Sequence, residues 1–391
     1  MITGSRLADW LSQMVQIPSV SPDQAGPRAG VPGEGRLAEA VARWFQSLGG
    51  EVQQEEVIPG RPNIYGLWRN SRSDRWLAVD IHMDTVSVEQ MSGDPFSGRI
   101  ADGRVYGRGA VDTKATLAIV LTLLEAAQQT GQTLPANLLI AATVDEETQF
   151  RGAPAFARWV RRQQLPLDQL AVAEPTMCAP VYGHKGVTRL EFEVQGKSVH
   201  SSQPHLGQNA ITAAAHLILA LDEEHRRLQT LAPSPSEGEG WGEGGSLGLP
   251  TLTVTIIHGG TGENLVPNAC QLLVDRRIVA GEKPLEVAAA LEQLARQACP
   301  LPVTMRVGLH VGAFLQAPDS PWLRQLAEWS GQKPAVAPYG TNASAYEGLA
   351  RECVVIGPGS IEQAHGAEEW VTIAELEKMA GIYAKWWGLQ L

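Results

Sequence analysis

Apolar residues recur at helical spacing in Leu7, Trp10, Leu11, Met14 and Val15, which predicts an opening helix with Ser5 placed as its cap. Leu37, Val41, Trp44, Phe45 and Leu48 repeat the pattern, and Gly49-Gly50 is the stop that follows. Strand-like runs come next at 63–68 and 76–81. A long apolar helix is predicted over 114–129, a buried strand over 137–144, a helix over 153–163 and a short strand over 170–173. Strands alternating with helices predict an α/β layer fold built on a largely parallel sheet.

The middle of the chain reads differently. A strand at 187–194 is followed by a helix at 208–228 and two consecutive strands at 252–257 and 270–278. A helix at 284–297 and a strand at 303–307 complete the order β-α-β-β-α-β, the ferredoxin-like arrangement. The unit is self-contained. Residues 186–309 are therefore expected to be a domain inserted between a first part, 1–185, and a second part, 310–391. In that second part a helix at 321–330, a strand at 353–356 and a final helix from Ile373 resume the α/β pattern. Positions 233–248, PSPSEGEGWGEGGSLG, are of low complexity and are expected to form a surface loop.

Composition narrows the function classes. The chain has 391 residues, 44% hydrophobic and 19% charged, which is ordinary globular usage. Its formal net charge of −11 gives it no general pull toward nucleic acid or an anionic membrane. The opening residues lack a signal-peptide core, and the most apolar stretch, near Leu117 to Leu124, is too short to span a bilayer. Four cysteines with no CxxC pair do not make a disulfide scaffold, so a soluble cytoplasmic protein with reduced thiols is expected.

The candidate chemistry gathers at predicted strand ends. His82-Met83-Asp84 follows the strand WLAVDI, and an Asp two residues beyond a metal-binding His can fix its tautomer. Asp112 lies just before the apolar helix, in a segment whose glycines do not match a dinucleotide loop. Asp145-Glu146-Glu147 ends the strand NLLIAATV, and Glu174 follows another short strand. His365 lies beyond the strand CVVIG. A lone HxD or a lone Asp would ordinarily be a surface turn or a helix cap. Here His82, Asp112, Glu147, Glu174 and His365 all flank one predicted sheet, at the edge where α/β sites assemble. Two histidines and three carboxylates suit a pair of Zn²⁺ ions with one carboxylate bridging. Glu146 is left beside a ligand, where a general base is needed.

The motifs HMDTV, DGRVYGRGAVDTK, TVDEE, AEPT, GHKG, GKSVHSSQPHLGQNAI, GGTGENLVP, DRR and IGPGSIEQAH span essentially the whole chain. In combination they resemble the metal-dependent amidohydrolase and peptidase family that includes acetylornithine deacetylase, succinyl-diaminopimelate desuccinylase, aminoacylase and glutamate carboxypeptidase. AEPT, HKG and GPGSIEQAH are most similar to the acetylornithine deacetylase branch. The resemblance implies a zinc-peptidase-like catalytic domain with a mostly parallel sheet and an inserted ferredoxin-like dimerisation domain. It implies two divalent metal ions, Zn²⁺ or Co²⁺, with His82 and Glu174 on one, Glu147 and His365 on the other, and Asp112 bridging through a cis Asp112–Thr113 peptide. Asp84 would orient His82 and Glu146 would be the general base. His200, supplied across a homodimer, would contact the scissile carbonyl, and Arg277 and Asn264 would contact the substrate.

The implied activity is hydrolysis of the amide of a small N-acyl amino acid, with acetylornithine-type deacetylation preferred. Desuccinylase, dipeptidase and carboxypeptidase activities use the same machinery. From a different class, a metal-binding protein without catalysis would be expected to lack Glu146 or His200. Three departures stand out: Ile81 where many members have Gly, Thr113-Lys114-Ala115 in place of Met-Lys-Gly, and 339–344, which differs from the close deacetylases. The first two remove no ligand, and the third bears on side-chain specificity. His184 and His205 flank motifs and are open between substrate contact and structure. His216, His225, His258 and His310 are given no role.

Overall fold

A computed structural model of the chain describes residues 2–230 and 247–390, so positions 233–246 of the low-complexity stretch lie outside the described residues. The described residues pack as two compact units. One comprises Met1–Tyr182, Gln316–Ala335 and Thr341–Leu391; the other comprises Gly183–Leu315 and Val336–Gly340.

The first unit is built on a sheet whose strands run Glu51–Ile58, Arg61–Trp68, Asn137–Thr143, Trp76–His82, Leu167–Val172 and Ala350–Val355, in that spatial order. The last four are mutually parallel, and the first two are antiparallel. Trp76–His82 and Asn137–Thr143 are buried along their whole length, as central strands covered on both faces must be. Helices Gly4–Val15, Lys114–Thr130 and Ile373–Trp386 share a core with these strands. That core is closed by large side chains, among them Trp322, Tyr383 and Trp387.

Two expectations need correction. The cap of the first helix is Thr3, not Ser5. Thr3 has extended backbone, and its Oγ1 accepts the Arg6 N–H at 3.2 Å, whereas Ser5 falls inside the first turn. The strand Glu51–Ile58 was also absent from the expected elements. It is an edge strand with no fully buried residue and a polar sequence, EVQQEEVI, so it lacks the hydrophobic alternation that marks a strand.

The second unit carries an antiparallel sheet in the order Thr251–Gly259, Ala269–Ile278, Gly186–Gln195, Val303–Val311. Helices Ala210–Gln229 and Pro284–Ala298 pack on it, around Leu190, Phe192, Leu217, Leu272 and Leu291. This is the ferredoxin-like order expected from the sequence. Gly186–Gln195 alternates buried and exposed positions over much of its length, because only one face of the sheet meets the helices. Asn209 caps the first helix, its side chain accepting the N–H groups of Ile211 and Thr212. The first and last short strands of the unit pair with each other, Phe314 opposite His184 and Leu315 opposite Gly183.

Candidate metal centre

The carboxyl ends of the parallel strands gather the chemistry. His82 is the last residue of its strand and lies opposite Thr143 in register. Glu146 and Glu147 follow the strand ending at Thr143, and Glu174 lies two residues past Val172. Asp112 immediately precedes Thr113, the N-cap residue of Lys114–Thr130, and the Asp112–Thr113 peptide is cis, as the resemblance implied. His365 lies in the loop after Ala350–Val355 and takes a left-handed backbone, φ 61°.

His82 Nδ1 stands 3.0 Å from the main-chain oxygen of Asp84, and a carbonyl can only accept. The ring therefore holds its proton on Nδ1 and turns Nε2 toward Asp112 Oδ1, 2.9 Å away. Asp112 Oδ2 stands 3.3 Å from His365 Nε2, which is also 3.3 Å from the Glu147 carboxylate. Two groups result: His82, Asp112 and Glu174, then Asp112, Glu147 and His365. Within each, the candidate ligand atoms lie within 4.8 Å of one another. Asp112 belongs to both.

Asp84 sits beneath. Its carboxylate is 3.6 Å from His82 Nδ1, farther than its own carbonyl, and it serves the neighbouring loop more directly. Oδ1 accepts the Glu146 N–H and Oδ2 the Glu147 N–H, each at 3.0 Å. Asp145, the first acid of the DEE run, points elsewhere. It joins Arg61 and Glu34 in a buried network, with the half-exposed Arg151 donating to it from the surface side, and Glu34 also accepts the Asp145 N–H. Nothing in the sequence around Glu34 or Arg61 signalled that network.

The electrostatics are those of crowded buried acids. Burial pushes Glu146 well above the carboxylate range, with Glu174 adding to it, and burial with Asp112 does the same to Glu174. Glu147 is pushed up to about 7 by burial and by Asp112. Asp112 is the exception: burial opposes its charge, yet the imidazoles of His365 and His82 beside it hold it below the usual range. His365 is pushed up to about 10 by its contacts with Asp112 and Glu147. Among the described residues, the ion pairs that reach Asp84, Asp112 and Glu147 come from His82 and His365 alone. Lys114 is buried nearby, but its ammonium donates to the carbonyls of Met14 and Ile17.

The remaining candidates belong to the second unit. His200 is exposed, and its Nδ1 accepts the Ser202 N–H, which leaves Nε2 as the protonated nitrogen. Ser201 N–H donates to the Asn264 carbonyl, so the His200 and Asn264 segments run side by side. Arg277 lies on Ala269–Ile278 with Nε donating to Asp275. His184 is buried beside Phe314 with Nδ1 against the Lys185 carbonyl, while His205 sits in the exposed turn Pro204–Leu206.

Known proteins share this chain's pattern and fold. The acetylornithine deacetylase of Aliivibrio salmonicida is 31% identical over 363 residues, covering 90% of this chain and 91% of the relative. The acetylornithine deacetylase of Myxococcus xanthus is 33% identical over 313 residues, covering 79% and 78%. Among solved structures, an M20 family metallo-carboxypeptidase from Sulfolobus solfataricus superposes with a TM-score of 0.78 at 19% identity, covering 100% of this chain and 99% of the other. A dinuclear metal binding peptidase of the M20 family from Bacillus subtilis does so with a TM-score of 0.66 at 14% identity, covering 99% of both. The pattern of peptidase family M20/M25/M40 matches residues 78–388. The chain belongs to that family and is an enzyme of its peptidase and amidohydrolase class.

Proposed function

We propose that the chain is a dinuclear-metal hydrolase that cleaves the amide bond of a small N-acyl amino acid, by acetylornithine-type deacetylation. One observation carries the reading: two three-residue groups share Asp112, and a buried carboxylate, Glu146, stands beside them with no ligand duty. The donor set fits divalent cations. With Nδ1 holding a proton against a carbonyl, His82 Nε2 and Asp112 Oδ1 face each other at 2.9 Å as two acceptors unless positive charge lies there. A proton or a metal supplies it, and the crowded acids of Glu147 and Glu174 call for more than one proton can give.

In this reading His82 and Glu174 would hold one ion and Glu147 and His365 the other, with Asp112 shared between them. Zn²⁺ suits the nitrogen and oxygen donors, with Co²⁺ as a substitute. The ions would supply Lewis acidity, activating water and polarising the scissile carbonyl. Glu146 takes the proton of the attacking water and returns it to the leaving amine. Burial holds the Glu146 carboxyl above the ordinary carboxylate range, the direction that favours its taking up a proton. Asp84 fixes the stretch that presents Glu146 and Glu147. His200 donates Nε2–H to the carbonyl oxygen as charge develops there, and the tautomer fixed by Ser202 supports this. Arg277 and Asn264 bind the substrate's carboxylate and backbone, a guanidinium matching a carboxylate in geometry. In this reading the protein acts as a homodimer in the cytoplasm, with His200 reaching the partner's site and a role in arginine biosynthesis.

The test is an assay of purified protein with Zn²⁺ or Co²⁺ on N-acetylornithine, N-acetylcitrulline, N-succinyl-diaminopimelate and simple dipeptides. Turnover is expected on N-acetylornithine. Cleavage of dipeptides with none of the N-acyl compounds would replace the deacetylase reading with a peptidase one.

A further inference from the structure

Arg108 and Glu369 form a buried ion pair that touches three segments of the site without contributing a ligand. Both side chains are almost fully enclosed, and Arg108 Nη1 donates to Glu369 Oε2 at 2.7 Å. The other carboxylate oxygen, Oε1, accepts the N–H of Val111 at 2.9 Å and of Asp112 at 3.2 Å. Arg108 uses its remaining donors on main-chain carbonyls. Nε and Nη2 reach Ser87, at 3.2 and 2.9 Å, and Nη2 also reaches Gly366 at 3.3 Å. Ser87 lies three residues past Asp84, and Gly366 adjoins His365.

The pair is held by backbone as well. Gly107 N–H donates to the Glu369 carbonyl, and Trp370 pairs with Tyr106 in a small antiparallel sheet of Ile100–Ala101, Arg104–Tyr106 and Trp370–Thr372. That sheet brings the 107–112 turn and the 365–369 loop together, and the ion pair sets their spacing. We infer that Arg108 and Glu369 are positioning residues for the metal centre, acting on the shared Asp112 and, beyond it, on the Glu147–His365 side more than on the His82–Glu174 side. The asymmetry follows from the contacts. Glu369 fixes the main chain of Asp112, which both groups share, whereas Arg108 fixes the main chain beside His365 alone, and His82 and Glu174 are placed by strand ends. Partners that orient ligands from behind typically govern metal affinity by about 10- to 100-fold.

The inference rests on the reading of a two-ion centre, and one titration separates the two. Metal-free protein is titrated with Co²⁺, followed by visible absorption and calorimetry. Wild type is expected to take up two equivalents; failure to bind any would overturn the metal centre and this inference together. In Glu369→Leu, which removes both acceptors and leaves Arg108 unpaired beside His365, both equivalents are expected to weaken through the shared Asp112, one of them roughly 10- to 100-fold more than the other. Glu369→Gln keeps a carbonyl for the Val111 and Asp112 N–H groups and should recover most of that loss. Removing one partner of a buried pair can prevent folding. If Glu369→Leu is not recovered folded, the neutral double variant Arg108→Gln/Glu369→Gln, which lacks the guanidinium fork to Ser87 and Gly366, takes its place with the same expected loss. Two wild-type affinities in the folded variant, or an equal weakening of both equivalents, would overturn the positioning role.

Discussion

Both carboxylate oxygens of Asp84 accept main-chain N–H groups from the acids that follow the neighbouring strand. In Asp84→Asn one acceptor becomes an NH₂ group facing an N–H donor. Metal affinity is expected to fall about 10- to 100-fold, and the metal-free protein is expected to lose about 1–3 kcal/mol from the buried donor left unpaired, as calorimetry on both forms would show. Glu146→Gln isolates a different duty. It keeps the volume and removes the base, so metal content measured by elemental analysis should stay near wild type while turnover falls by roughly 100- to 10,000-fold. Loss of metal instead would make Glu146 a ligand and exchange its role with Glu147. His184 gives a pH signature. Burial pushes its imidazole down to about 4, below the ordinary value near 6.5, so the unfolded chain binds the extra proton first. The neutral form stabilises the fold at pH above about 6.5, and that contribution is lost as pH falls toward 4. Urea unfolding between pH 7 and 4.5 should show a shallower decline in His184→Gln than in wild type.

At the scale of elements, the strands that carry the site were legible because they are buried on both faces. WLAVDI and NLLIAATV are predominantly apolar runs, broken only by Asp80, Asn137 and Thr143, and their ends place His82, Glu146 and Glu147. The polar edge strand Glu51–Ile58 lacks that signal, since its residues meet solvent and its pairing is main-chain only to the eye of the sequence. Glu369 was illegible for another reason. The run AEEW reads as exposed acids, and only the pairing of Trp370–Thr372 with Arg104–Tyr106 turns Glu369 inward to Arg108. The last helix illustrates a local rule that does hold in place. Thr372 and Glu375 form a reciprocal capping box at the start of Ile373–Trp386. Thr372→Ala is expected to cost about 1 kcal/mol, read by thermal unfolding as a drop of roughly 1–2 °C.

At the scale of the whole molecule, the site is divided among distant parts of the sequence. The five candidate ligands run from His82 to His365, and His200 lies in the other packing unit. Sequence could pair His200 with the site only through family resemblance, because a lone exposed histidine carries no signal of its own. The homodimer reading makes a quantitative expectation. Neither Glu146→Gln nor His200→Ala chains should turn over substrate well alone. After verified subunit exchange in an equal mixture, roughly a quarter of the sites should combine an intact base with an intact partner histidine and regain activity. No recovery would remove the in-trans role.

The pairing of Phe314 and Leu315 with His184 and Gly183 also bears on how such a chain folds. The sheet of the first unit must join Leu167–Val172 to Ala350–Val355, two parallel neighbours separated by the entire second unit. Left as open coil, that excursion would raise the entropic cost of closure, which grows with the logarithm of loop length. A unit whose two ends are hydrogen-bonded to each other becomes, once folded, a short connector. The outer sheet then closes across the remaining residues 173–182 and 316–349 rather than across the whole excursion. By the same reasoning, the family fold can carry a bulky insertion at this point with little kinetic penalty, and the length of that insertion is free to vary so long as its ends stay zipped.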